Sequence, residues 1–568
     1  MASFFVSADD SDGATVTGNE NVFLVPEGVI LSNIGSAFVF DNGVDDTTGI
    51  GNRLIVEGFV GSANETGVTD TGMDGENNSV TVTDTGTIFG GIDLDADGVD
   101  GYVVNNHGLI DGGGVGVRIF NDFGAVVNTG TIFGGATGVV LVGLAPVINN
   151  SGEIFGGATG LASNGAAASI TNSGTIHAQG VGVRVEGDGT QFVNTGSILG
   201  GAAPSSTASG GLFEGDNIVI RNFGEMSGDK YGIYGEGADI NLFNQGDVSG
   251  GQMKGIRLEH ADNARVVNEG TAIGQIAGIE VAGDSAKIIN NGLASGQNGI
   301  LLQGTGLLQL VNTGEIVGSD GAGVFSGTTS TPVQVRNTGT ISGDEFAITL
   351  GAGDDVVRNA GLIEGDIDLS FGDDFYREGS TGQTDGNVLG GLGMDTMIGG
   401  AEEDVFLGEA GNDSLRGKGN DDVLQGGDGD DFMDGGAGDD VLSGGADNDR
   451  LRGEGGDDVL RGNDGDDQLR ADTGEDLLFG GTGNDTLRGG EDADIFGFEQ
   501  GDGLDRIIDF EDNVDTLDLT DYGFSSVADV VALGRETPQG DVVLELTPTD
   551  EIRISGINLL ALQDDILI

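Results

Sequence analysis

The sequence predicts an all-β protein wound as a solenoid, and three observations predict it. A motif Asn-x-Gly-x-(Ile/Val)-x-Gly recurs between about residues 56 and 370, usually every 22 residues. Twelve units of nine follow over 390–497 on the pattern Gly-Gly-x-Gly-x-Asp-x-U-x, where U is a large apolar residue. The composition, 112 Gly in 568 residues with 37% hydrophobic residues, suits a thin linear core rather than a large globular one. Fixed periods of this kind mark stacked repeats. Along the chain this gives a solenoid start at 1–55, a parallel β-helix at 56–350, mixed coils at 351–389, the nonapeptide block at 390–497 and a β-rich end at 498–568.

In the first part, residues 3–6 read as a strand, and no amphipathic capping helix precedes the repeats, which leaves an end able to accept another molecule. The repeated Asn then falls at Asn106, Asn128, Asn150, Asn172, Asn194, Asn222, Asn244, Asn268, Asn290, Asn312, Asn337 and Asn359, with Asp84 expected to take the same place first. Helices are excluded by the Gly and β-branched content and by alternation such as Val117-Arg118-Ile119 and Val183-Arg184-Val185. Twenty-two residues suit one three-sided coil. An Asn packed above an Asn can satisfy buried turn groups and its neighbours' amides, while Ile88, Ile110, Ile132, Ile154, Ile176 and Ile198 form an inner apolar column. This stretch resembles the right-handed β-helices of autotransporter passengers and polysaccharide-active enzymes, a likeness that speaks to fold far more than to function. Phe89, Phe133, Phe155 and Leu199 share the place after the inward Ile. They form an apolar stripe if they point outward, and they join the core if the corner turns them in. A six-residue insertion, within the loop 202–210, accounts for the 28-residue step from Asn194 to Asn222.

The two periods interleave at 351–389. The stretches 351–357 (Gly-Ala-Gly-Asp-Asp-Val-Val) and 371–376 (Phe-Gly-Asp-Asp-Phe-Tyr) are nonapeptide-like, while a solenoid motif begins between them at Asn359. We expect a graded passage in one rod, with Asp355 and Asp374 either outlying metal ligands or ordinary turn aspartates.

In the nonapeptide block the sixth place is Asp without exception: Asp395, Asp404, Asp413, Asp422, Asp431, Asp440, Asp449, Asp458, Asp467, Asp476, Asp485 and Asp494. Two places later stand Met397, Phe406, Leu415, Leu424, Met433, Leu442, Leu451, Leu460, Leu469, Leu478, Leu487 and Phe496, an apolar set that faces inward on a short strand. Glycines at the fourth place (Gly393, Gly411, Gly429, Gly438, Gly456, Gly465, Gly483) permit sharp turns whose carbonyls can converge. Carboxylates and carbonyls are the oxygen ligands that calcium takes. The block resembles the calcium-binding repeat of RTX proteins. That resemblance implies a right-handed β-roll of two units per turn, with each ion between the loops of units n and n+2, so up to about ten ions. By charge, 29 Asp or Glu face 7 Lys or Arg here, a repulsive stack without counterions, so folding is expected to require the metal. Glu402, Asn420, Asp447 and Asp492 replace the fourth-place glycine and Ala471 opens the tenth unit, so these units depart from the ligand pattern.

The C-terminal segments 493–498, 503–510 and 514–519 resemble the module that follows the roll in type I secreted proteins. The last ten residues, Leu-Leu-Ala-Leu-Gln-Asp-Asp-Ile-Leu-Ile, resemble their uncleaved secretion signal, or form a plain terminal strand. The resemblance implies an extracellular or cell-surface protein, unfolded where calcium is scarce and folded outside where calcium fills weak sites.

A net charge of −72 argues against nucleic-acid binding. No stretch approaches the ~20 apolar residues of a membrane span, so no membrane insertion is expected. Absence of Cys excludes disulfide stapling. The enzyme alternative is an alginate-epimerase type, but the Asp-Pro-His-Glu kind of motif is missing: no proline is followed by His, and His107, His177 and His260 sit in separate coils. There is no His-Glu-x-x-His zinc site either. Lys230, Tyr231 and Tyr234 form the best basic–aromatic cluster for a glycan. We therefore expect no enzyme but a calcium-dependent structural protein that self-associates in a surface layer or filament, with an adhesin for a glycan or cell surface as the second reading.

Overall fold

The structure, a computed structural model, describes residues 2–5, 14–16, 21–27, 29–33, 38–40, 53–62, 67–70, 78–95, 101–201, 208–327 and 330–568. It is nearly all β, 57% strand and 2% helix. The chain divides into two compact units, one of residues 1–309 with 314–320, the other of 310–313 with 321–568.

In the first unit the described coils from residue 21 onward have three strands, for example Val103–Asn106, Leu109–Gly112 and Val115–Phe120. Each pairs in parallel with its equivalent 22 residues on, so that Asn106 lies beside Asn128, Ile110 beside Ile132 and Val117 beside Val139. Alternating side chains send every second residue inward, and Ile88, Ile110, Ile132, Ile154, Ile176 and Ile198 are all fully buried in one column. The corners are tight. A Cβ on Gly130 would collide with the carbonyl of Gly108, which explains the glycine two places after each Asn. Residues 202–207 of the insertion lie outside the described residues, yet Ser209–Glu214 keeps register with Val181–Glu186, so the extra length is absorbed without disturbing the coil.

The Asn column is a hydrogen-bonded ladder. Asn106 Nδ2 donates to Asn128 Oδ1 at 2.7 Å, Asn128 to Asn150 at 2.7 Å, Asn150 to Asn172 at 2.7 Å and Asn172 to Asn194 at 2.8 Å, with every member buried. Asp84 does not join it. Val82 occupies the place beside Asn106, while Asp84 is exposed in a turn. A carboxylate has no proton to donate into the ladder, and the turn after Val82 reaches its corner glycine, Gly86, two residues later than Asn106 reaches Gly108. Asn106 Oδ1 accordingly accepts nothing.

The second unit begins with similar coils: Val333–Asn337, Thr340–Gly343 and Ile348–Thr349, then Val356–Asn359, Leu362–Glu364 and Ile367–Asp368. After Gln383–Asp385 the middle face ends. Two faces continue: Thr396–Ile398 pairs with Ser414–Gly419, and Asn387–Leu392 with Val405–Ala410. Partners are then 18 residues apart, as in Leu415 beside Met433 and Leu424 beside Leu442. The eighth-place side chains fill the narrow interior, none more than 2% exposed. Beyond the repeats, Leu504–Ile507 and Thr516–Asp518 extend the two faces. A short helix, Val527–Val531, starts on the Ser526 side chain, which accepts the Asp529 N–H. An antiparallel hairpin (Gly534–Glu536, Val542–Glu545) brings Glu551–Ile554 onto Leu504–Ile507. Near the end, Ala561–Asp564 forms a single 3-10 turn before Ile566–Leu567 pairs with Thr516–Asp518.

Candidate metal centre

Each sixth-place Asp closes a turn and opens a strand, which fixes its carboxyl at the corner of the roll. All twelve are at most 3% exposed. Each backbone N–H donates to the Oδ1 of the Asp one turn further on: Asp395 to Asp413 and Asp413 to Asp431 at 2.7 Å, Asp422 to Asp440 and Asp440 to Asp458 at 2.8 Å, through Asp476 to Asp494 at 3.1 Å. One carboxylate oxygen is thus consumed by the backbone. The other, Oδ2, is buried without any hydrogen-bond partner in Asp395, Asp413, Asp422, Asp431, Asp440, Asp449, Asp458, Asp467, Asp476, Asp485 and Asp494. A buried ionised oxygen in this state is costly unless a cation meets it.

The first-place glycines leave the room for that cation. A Cβ on Gly408 would strike Asp413 Oδ2 and stand 2.6 Å from the Gly426 carbonyl; Gly426, Gly444 and Gly462 repeat the arrangement one turn apart. A carboxylate oxygen and a backbone carbonyl from consecutive turns therefore border one small space. Among the described residues no three or more His, Cys, Asp or Glu side chains converge as a metal cluster; the donors are one side chain per turn plus backbone. The fourth-place glycines expected as ligands stand in the left-handed half of backbone space, φ 142 at Gly393, 146 at Gly411, 126 at Gly429, 136 at Gly438, 129 at Gly456, 142 at Gly465 and 147 at Gly483. The replacements Asn420, Asp447 and Asp492 adopt φ of 76, 77 and 82, whereas Glu402 has no positive φ. Ala471 is fully buried and puts a methyl where other units leave space.

Burial pushes the carboxyls up: Asp413 and Asp431 to about 6, Asp395 to about 7, and Asp422, Asp449, Asp458, Asp485 and Asp494 to about 8, with neighbouring Asp charges adding to the effect. Those raised to about 8 are mostly protonated at neutral pH unless positive charge meets them. The oxygen-only donor set, the unpartnered Oδ2 and the glycine gap fit calcium, which when bound supplies the charge that keeps these carboxylates ionised.

Asp355 and Asp374 belong to the column. Val333 N–H donates to Asp355 Oδ1 and Asp355 N–H to Asp374 Oδ1, each at 2.6 Å; Asp374 N–H donates to Asp395 Oδ1 at 2.7 Å, and both Oδ2 atoms are unpartnered. Two further members were missed in the sequence: Asp505 accepts the Asp485 N–H at 2.9 Å and Asp515 the Asp494 N–H at 3.1 Å. The steps to them are 20 and 21 residues, so a period of nine does not find them. Asp404 departs from the pattern, because its Oδ2 accepts the Gly400 N–H at 2.8 Å. A second, exposed ladder at the fifth place was also missed. There Asp439 N–H donates to Asp421 Oδ1 at 2.9 Å, Asp457 to Asp439 at 2.8 Å and Glu475 to Asp457 at 2.9 Å, the reverse direction along the stack.

The glycan candidate is internally engaged. Tyr231 is buried, Arg257 lies 5.7 Å from its ring centre, and the Tyr234 hydroxyl donates to Glu259 at 2.8 Å. The neighbouring Lys254 is buried against Glu280 and lowered to about 8 by desolvation.

Residues 389–504 match the family of the RTX calcium-binding nonapeptide repeat in overlapping stretches, 389–424, 408–442, 416–451, 443–478 and 470–504. This part of the chain is an RTX repeat region, and RTX nonapeptide repeats bind calcium. No curated protein matches the chain. Among the described residues no helix is long and apolar enough to cross a membrane.

Proposed function

We propose that the protein is a secreted, calcium-dependent structural component that self-associates at the cell surface or in extracellular matrix, without enzymatic activity. Export by a type I route through an uncleaved C-terminal signal is part of this reading, since RTX proteins typically leave the cell that way. The observation that carries the assembly role is the aromatic column on one face of the first unit. Phe89, Phe133, Phe155, His177 and Leu199 follow one another with only Asp111 between the first two. Phe89 and Phe133 are 36% and 46% exposed, and Phe155 packs 6.3 Å from Phe133. An exposed apolar stripe with a one-turn repeat suits packing against a like surface. Electron microscopy of the calcium-loaded protein tests this: ordered polymers or sheets are expected, and their loss in Phe133→Ser with Phe155→Ser. Strict monomers at every calcium level would refute assembly.

The adhesin reading rests on a shallow cleft of about 340 Å³ lined by Val219, Arg221, Asn241, Phe243 and Arg265, with Arg221 beside Phe243 and Arg265 beside Asn241. Binding to a glycan array by a monomeric protein would favour it.

A further inference from the structure

The Asn ladder of the second unit does not end on an amide. Asn337 Nδ2 donates to Asn359 Oδ1 at 3.0 Å, and Asn359 Nδ2 then donates to Glu378 Oε1 at 3.3 Å. Strand pairing puts Glu378 in the Asn place, beside Asn359. Glu378 is 1% exposed, and the Thr384 hydroxyl also donates to its Oε1. Its other oxygen, Oε2, receives no hydrogen bond from an N–H or hydroxyl group. It points at the corner of the second nonapeptide unit, 2.6 Å from where a Cβ on Gly400 would stand, and it faces the carboxyl of Asp404. Asp404 is the sixth-place Asp whose Oδ2 is taken by a backbone N–H, so here the unpartnered oxygen comes from Glu378 instead. The basic group on this corner, Lys418, donates its Nζ proton to the Gly399 carbonyl at 2.5 Å rather than to either carboxylate.

We propose that Glu378 and Asp404 hold one further divalent cation, and that calcium fills it where it fills the repeats, on whose calcium binding this inference rests. The site differs from those of the repeats in chemistry. Two side-chain carboxylates face each other here, where each repeat offers one carboxylate and backbone carbonyls. All donors are hard oxygens, as calcium requires, and a cation between the two carboxyls takes the place of the proton they otherwise share. The site joins the self-satisfied amide ladder to the carboxylate column.

Tyr376 makes the site observable. Its hydroxyl shares a hydrogen bond with Thr384 Oγ1 at 2.7 Å, next to Glu378, and the chain has no Trp and only five Tyr. Terbium bound at Glu378 should therefore emit on excitation of Tyr376. In the full chain, Glu378→Gln should lower calcium stoichiometry by one in equilibrium dialysis and reduce tyrosine-sensitised terbium emission to the level of Tyr376→Phe, which itself retains the full calcium count. Unchanged stoichiometry and emission in Glu378→Gln would overturn the site. If Glu378→Gln does not fold, emission in Tyr376→Phe equal to that of the unsubstituted protein would overturn it. Failure of the unsubstituted protein to bind calcium would instead refute the reading of the repeats.

Discussion

Two buried polar ladders run through this protein, one of Asn and one of Asp, and the difference of a single atom separates their energetics. The amide of Asn both donates and accepts, so Asn128, Asn150 and Asn172 close their bonds among themselves. The carboxylate of Asp only accepts. Asp422, Asp440 and Asp458 spend Oδ1 on the backbone of the preceding turn and are left with Oδ2 buried and bare. The first ladder closes its bonds within the protein except at its head, where Asn106 Oδ1 is left bare. The second leaves carboxylate oxygens bare in the protein alone, so folding of the roll is expected to follow metal concentration.

The largest effect expected from this contrast is on chelation. Hydrogen exchange of the full chain in EGTA should show loss of protection by at least ~100-fold (about 3 kcal/mol of local stability) over 396–491, while 103–312 stays protected. Equal protection in both regions would break the comparison. Next comes a reciprocal exchange. Asn172→Asp leaves Asn194 Oδ1 without its donor and adds a buried charge, and should cost about 2–4 kcal/mol in urea unfolding of the calcium-free solenoid. Asp440→Asn should do the opposite in the roll, easing metal-free folding while removing calcium binding at that turn, as titration calorimetry would read.

Acidity offers a third, smaller contrast. The folded-state values of Asp413, Asp395 and Asp449, about 6, 7 and 8, lie above the unfolded carboxyl value of about 3.9, so the metal-free roll binds more protons folded than unfolded. Its stability is then greatest below about pH 3.9 and falls as pH rises through 6 to 8. Circular dichroism in EGTA should show β content gained on acidification in this window, and saturating calcium should flatten the profile. No titration is expected from the Asn ladder. The smallest effect is at Ala471. Ala471→Gly removes the methyl in the tenth unit and should tighten calcium binding there by a few-fold, seen as a lower midpoint for one ion in calorimetry.

The sequence alone determined the coil lengths, the inward Ile and Leu columns, the Asn ladder and the twelve Asp corners, because a strictly repeated residue must meet its own copy one turn later. Tertiary pairing decided the rest. It placed Val82 rather than Asp84 at the head of the Asn column, since two added turn residues shift the register. Continuation of the two faces beyond the repeats, with longer turns, brought Asp505 and Asp515 into the Asp column at steps no period of nine contains. The outward direction of Phe133 and the bare oxygen of Glu378 likewise belong to the fold. Spacing along a chain states which residues share a column; whether a polar atom there finds a partner depends on the neighbouring turns, and only the folded stack supplies them.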